Sequence, residues 1–255
     1  MKLPVFRTVG TTFVFGLRHF PVFYLLCLLI SLPSILYCLL TGQSEFGQLL
    51  AVEGWKGDLL RAVETVLSAF VTAVMVWTLM RDRQGEGGTA IAALRDAFER
   101  TPTILGVGVA FAVGTTLFSV LRDVLTEIHP GGGIGLSVAM MFVGLYFAVA
   151  VPCAAVDSNG VMDCFSRSVN LTQGSRLRIL LTYCLVCIPL VIAIFIFFVI
   201  MDPGSERIEG LPVAWFFFGG PGLYIFFLTA QVAMHENLAG LEDGMAVGET
   251  AAVFD

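Results

Sequence analysis

Arg61 and Glu64 are the only charged side chains inside the long apolar stretches of this 255-residue chain. Their i,i+3 spacing puts them on one helical face, where they are expected to pair with each other. Charges near a bilayer midplane would mark an ion or proton path. These two fall in the first two turns of their stretch, at its outer end, so a coupled pump has little to work with. Cys184 and Cys187 have the C-x-x-C spacing of redox and metal motifs, but in mid-stretch and without a charged neighbour, and small apolar packing residues are the plainer reading. None of the six cysteines lies in an outer connection, so no disulfide framework is indicated. His19, His129 and His235 are scattered and form no H-E-x-x-H or Cys/His pattern. Ser31, Ser34, Thr65, Ser68 and Thr72 have no histidine or acid at a spacing that would make a nucleophile, and helix-to-helix hydrogen bonds explain them better. No catalytic constellation, metal site or cofactor is therefore expected.

The densest polar information lies between Asp157 and Arg178. It reads as an Asx or Ser cap, a short amphipathic helix, a stop at Gly174 in the left-handed conformation, and two arginines leading into the next apolar stretch. Arg167, Arg176 and Arg178 are the expected contacts to anionic lipid headgroups at the inner leaflet. Ordinary determinants of topology are the competing reading.

The elements that must carry these residues are six apolar stretches: 20–40, 59–80, 103–121, 134–155, 179–201 and 211–234. Each is about the 20 residues that a helix needs to cross a bilayer. A mean hydropathy of +0.87 with 13% charged residues leaves almost nothing to cover a soluble domain of this size. Barrel strands would be about half as long and would alternate, so the expectation is an all-α bundle of six transmembrane helices forming one domain over residues 1–255. Lys2, Arg7, Arg18, Arg81, Arg83, Arg95, Arg100, Arg167, Arg176 and Arg178 fall on one side; Lys56, Arg61, Arg122 and Arg207 fall on the other. The positive-inside rule then puts both termini in the cytoplasm of a bacterial inner membrane. The first stretch is too long for the apolar core of a signal peptide, and no small-x-small site follows it, so it is read as a span.

Three segments ahead of spans one, three and five share a design. Phe6, Val9, Phe13 and Leu17, then Ile91, Leu94 and Phe98, then Val161, Phe165 and Val169 recur at helical spacing, as expected of interfacial helices on the cytoplasmic side. Arg95 with Glu99 and Asp163 with Arg167 are i,i+4 pairs on their polar sides. Arg18, Arg100 and Arg176 mark equivalent positions about 80 residues apart, which suggests a pseudo-threefold repeat of interfacial helix, span, outer loop and span. Gly106, Ala110 and Gly114 form a small-residue stripe that reads as a helix-packing face, and Gly144 with Ala148 repeats the device. Pro33, Pro152, Pro189 and Pro221 should bend their helices, and the Gly219-Gly220-Pro221-Gly222 run is the leading candidate for an unwound element.

An acidic residue, Gly160, then Arg167-Ser168, Leu171-Thr172, Gly174 and Arg178 resemble the signature of the membrane-domain family associated with glycerophosphoryl diester phosphodiesterases and of related bacterial six-helix proteins. The stretch from Phe13 to Pro33 and the C-terminus from Leu238 to Asp255 are similar to that family's first and last segments. Asp157 stands where the family usually has glutamate, His235-Glu236 replaces an aromatic pair, and basic residues expected around Ala239 and Glu242 are missing. The resemblance implies a six-helix membrane module without the soluble catalytic barrel. Three functions follow as expectations. The first is a non-enzymatic accessory, scaffold or assembly subunit of a larger membrane complex. The second is a protein that binds or moves a lipid or amphiphile at the inner leaflet. The third is an intramembrane enzyme whose polar cluster only folding would assemble. Membrane lipids, other membrane-protein subunits or a second copy are the partners expected, and nucleic acid is not.

Overall fold

The computed structural model describes residues 3–41, 55–85, 90–157, 160–201 and 220–254, and every element in them is an α-helix. In chain order they are α1 (Val5–Arg18), α2 (Phe20–Thr41), α3 (Trp55–Gln84), α4 (Ala90–Glu99), α5 (Thr101–Ile128), α6 (Pro130–Tyr146), α7 (Ala150–Val156), α8 (Val161–Thr172), α9 (Arg176–Met201) and α10 (Gly220–Phe254). Five segments are long and apolar enough to cross a membrane: Phe20–Tyr37, Lys56–Asp82, Thr101–Ile128, Gly131–Val156 and Arg176–Ala193. The start of the sixth expected stretch, 211–219, lies outside the described residues, and the rest of it is the first part of α10.

The outward faces are apolar. Leu25, Leu29, Leu32 and Leu36 form an exposed row on α2, and Val109, Val113, Leu117 and Val120 form one on α5. A helix in water would carry its polar side there, so these faces suit hydrocarbon. The interior is built around α3 and α7. Every residue of α7 from Ala150 to Ala155 is buried, as is the run from Val71 to Val76 on α3. Thr72 and Thr78 are buried there, and each hydroxyl donates to the carbonyl four residues back.

The expected span at 134–155 is broken. α6 ends at Tyr146, residues 147–149 turn, and α7 resumes at Ala150. Pro152 has no N–H to give the Ala148 carbonyl, and its ring disfavours a helical approach to that carbonyl. The Tyr146 carbonyl is met by α8, where Ser168 Oγ donates at 3.0 Å; Thr172 Oγ1 lies at 3.4 Å, with the Ser168 carbonyl nearer to it at 2.9 Å. The connection between α5 and α6 is shorter than expected. His129 alone joins them, its Nδ1 accepting from the Gly131 N–H with Pro130 in the first turn. A Cβ at Gly133 would fall 2.2 Å from Thr126 Oγ1, so glycine permits this tight hairpin. Gly174 adopts φ +77°, the left-handed stop expected of it.

α1, α4 and α8 each precede a long helix, but they turn different sides inward. α1 buries Thr8, Thr12, Phe15 and Gly16 and exposes Phe6, Val14 and Leu17. α4 buries Ala93 and Ala97 and exposes Ile91 and Phe98. In α8 the aromatic side points in: Phe165 packs edge-on against Phe147 and Phe111, at centroid distances of 5.2 and 5.5 Å.

Candidate functional site

Asp58, Arg61 and Glu64 meet at a cavity of about 540 Å³ between α2, α3, α5 and α10. α3 begins at Trp55, four residues before the expected stretch, so Asp58 is helical and lies one turn from Arg61. Down α3, Asp58, Arg61, Thr65, Ser68 and Thr72 alternate spacings of three and four, which makes a polar stripe on one helical face. Asp58, Arg61 and Thr65 line the cavity with Glu64; Ser31 and Cys27 come from α2, Thr115, Thr116 and Ser119 from α5, and Tyr224 from α10. α3 and α5 pack closely at Gly108, where an added Cβ would lie 3.1 Å from both Val66 Cα and Ala69 Cβ.

The expected Arg61–Glu64 pair gives way to two others. Arg61 reaches Asp58 at 3.5 Å, and Glu64 Oε1 accepts from Ser34 Oγ on α2 at 2.5 Å. Both carboxylates are one turn from Arg61, so spacing alone could not choose between them. The position of α2 decides. Thr65 and Thr115 donate to carbonyls of their own helices at 2.7 and 3.0 Å, so their oxygens face the cavity as acceptors. Against the outer side of the α3–α5 pair runs an apolar groove of about 490 Å³, lined by Ala62, Val63, Val66, Leu67, Val109, Ala112, Val113 and Leu117. Thr116 lines both spaces.

A second polar cluster lies at the end of the bundle that holds α1, α4 and α8. His235 Nε2 on α10 meets Asp157 Oδ2, at the end of α7, at 3.1 Å, and Arg167 Nε on α8 approaches the same oxygen at 3.7 Å. The hydrogen bond from His235 holds the Asp157 carboxyl below its ordinary range against the opposing effect of burial, and the Arg167 charge adds to the lowering. Cys153, one turn before Asp157, brings its sulfur into the group, and the three donor atoms lie within 4.8 Å of one another. A thiolate, carboxylate and imidazole set is of a kind that binds zinc. Here the carboxylate is already met by the Arg167 guanidinium and by a hydrogen bond with His235. Sequence spacing misses the cluster because only Cys153 and Asp157 are neighbours on one helix, while Arg167 and His235 come from α8 and α10.

The three arginines expected at lipid headgroups each have a contact within the protein. Arg167 faces Asp157. The Arg176 guanidinium carbon lies 3.6 Å from the centre of the Tyr146 ring. Arg178 donates to the Leu3 carbonyl at 3.1 Å, while the Leu3 N–H donates to Ser175 Oγ at 3.2 Å, so the turn before α9 holds the start of α1. In the small-residue stripe, a Cβ on Gly106 would meet the Val161 side chain on α8, Ala110 is half-buried, and Gly114 faces open space. The close approach to α3 belongs to Gly108 instead. Gly144 is also open, whereas Ala148 is buried. Cys184 and Cys187 are free thiols. No family model, curated protein or solved structure matches this chain.

Proposed function

We propose that this chain is a multi-pass membrane protein with no chemistry of its own that binds an amphiphile, with the headgroup in the cavity and the hydrocarbon in the adjoining groove. One observation carries the reading: a polar, charged cavity within the spans shares Thr116 with a wholly apolar groove on the lipid side. An ionisable residue held inside a membrane is costly, and its presence points to a ligand or pathway. The cavity holds three such residues, Asp58, Arg61 and Glu64. This departs from an inner-leaflet site built on Arg167, Arg176 and Arg178, because those side chains bind the chain to itself.

The wider setting of the proposal is a bacterial inner membrane, six spans, and both termini in the cytoplasm. The exposed Phe6, Val14 and Leu17 on α1 and Ile91 and Phe98 on α4 support a position for these helices in the membrane interface. The resemblance to the phosphodiesterase-associated membrane domains agrees with a non-catalytic module. A pseudo-threefold repeat draws support from the order of one short helix and two long stretches repeated three times, although α8 turns its aromatic face inward.

The test is native mass spectrometry of the protein released gently from its own membrane, beside an Ala112→Phe variant that fills the groove. The expected result is a retained amphiphile on the wild type and its loss from the variant. Wild type carrying nothing, or the variant carrying the same molecule, would end this reading. A second reading, an accessory subunit in a larger complex, is favoured by the open small-residue positions Gly114 and Gly144, where a foreign helix could approach closely. A stoichiometric protein partner in the same spectra would support it.

A further inference from the structure

We infer that the headgroup taken by the cavity carries a protonated amine, an inference that rests on the amphiphile reading above. The charged residues lining the cavity are Asp58, Arg61 and Glu64, which leave one net negative charge among the described residues. Arg61 and Asp58 are paired at 3.5 Å and balance each other. Glu64 has the neutral Ser34 hydroxyl at 2.5 Å, and Arg61 acts on it only through its field. The unbalanced group is therefore a single half-buried carboxylate between α2 and α3. Such a carboxylate calls for a proton or a cation.

Several features favour an organic ammonium as that cation. Tyr224 and Phe118 line the same cavity, and aromatic faces attract ammonium groups. The oxygens of Thr65 and Thr115, whose protons are directed to backbone carbonyls, offer acceptors to N–H donors. An anionic headgroup would meet two carboxylates against one guanidinium. A bare inorganic ion would make no use of the aromatic rings or of the groove that shares Thr116. The occupant is thus a cationic amine on a hydrocarbon chain.

The test uses the full chain in lipid nanodiscs, with probes of one chain length: dodecylamine, dodecyltrimethylammonium, dodecanol and dodecyl phosphate, and with methylammonium and sodium as chain-free cations. Binding is read by isothermal titration calorimetry on wild type and Glu64→Gln. Wild type is expected to bind dodecylamine about tenfold or more tightly than dodecyl phosphate, and dodecyltrimethylammonium, which has no N–H to donate, less tightly than dodecylamine. Glu64→Gln is expected to lose that preference while binding dodecanol as wild type does, which shows that the variant is folded. Equal binding of all four chain-bearing probes, or a preference that survives in Glu64→Gln, overturns the amine assignment and leaves the amphiphile reading standing. If no chain-bearing probe binds, or if methylammonium or sodium binds as tightly as dodecylamine, the amphiphile reading itself fails.

Discussion

The two ends of the bundle treat polar groups in opposite ways. At the end holding α1, α4 and α8, charged side chains answer one another: Arg18 with Asp82 at 2.8 Å, Arg81 with Asp96 at 2.6 Å, and Asp157 with His235 and Arg167. Polar groups bind the elements together there, and the N-terminal segment is tied down by Ser175 and Arg178. Toward the opposite end, Glu64 is left with a neutral hydroxyl at the cavity. One end uses polarity for structure and the other holds polarity in reserve. Substitutions at the two ends should therefore differ in sign.

The largest effect is expected at the closed end. Asp157→Ala removes a charge-assisted hydrogen bond to His235, whose side chain is 8% exposed, and should cost about 1.5–3 kcal/mol. A thermal melt in detergent followed by loss of the monodisperse peak would show it. Acid should mimic the substitution. The Asp157 carboxyl lies below its ordinary range in the fold, so its contribution is complete above the unfolded value of about 3.9 and is lost as pH falls below that. A wild type and variant of equal stability would show that the cluster does not hold α7 to α10. Next in size is the break in the fourth span. Ser168→Ala strips the Tyr146 carbonyl of its side-chain donor and should cost about 0.5–1.5 kcal/mol, with faster hydrogen exchange at Phe147 to Ala150.

Much of the fold was legible because its signals are local. Twenty-residue apolar runs, helical periodicity and the glycine stop at 174 each depend on neighbours in sequence, and among the described residues five segments are long and apolar enough to cross a membrane and Gly174 takes the left-handed conformation. What was hidden depends on distant partners. Ser34 and Glu64 are 30 residues apart, and Asp157 and His235 are 78 apart. One signal was available: the alternating polar stripe from Asp58 to Thr72 marks the side of α3 that bears the cavity. The intrachain partners of Arg167, Arg176 and Arg178 were hidden too, because a guanidinium beside a span suits a carboxylate, a tyrosine ring or a backbone carbonyl equally well.

A smaller effect should appear at His19, between α1 and α2. Its ring sits between Phe15 and Phe23, at centroid distances of 4.9 and 5.6 Å. Burial pushes the imidazole below its usual value; Asp82 acts in the opposite sense and Arg18 adds to the lowering. As pH falls through about 6.5 the unfolded chain takes up a proton there that the folded chain refuses, so stability declines from that point down to the folded value. His19→Gln should flatten the decline between about pH 7 and pH 5.5 in the same melts. An unchanged slope would mean that the ring gains enough from Asp82 to accept the proton.

The smallest effect should have the reverse sign. Glu64→Gln keeps the shape and a hydrogen-bonding group opposite Ser34 while removing a carboxylate with no paired cation of its own. At the closed end such a change would orphan a partner, but here it orphans none, because Arg61 is held by Asp58. Stability should stay level or rise by up to about 1 kcal/mol, the usual direction when a residue kept for binding is replaced by one suited to the fold. The melt should be run without added amphiphile, since a ligand that binds the folded state would stabilise the wild type and mask the gain. A clear loss in the bare protein would mean that the Glu64 charge is already compensated within the fold. The contrast between the two ends would then disappear, and with it the reason to look for a cation in the cavity.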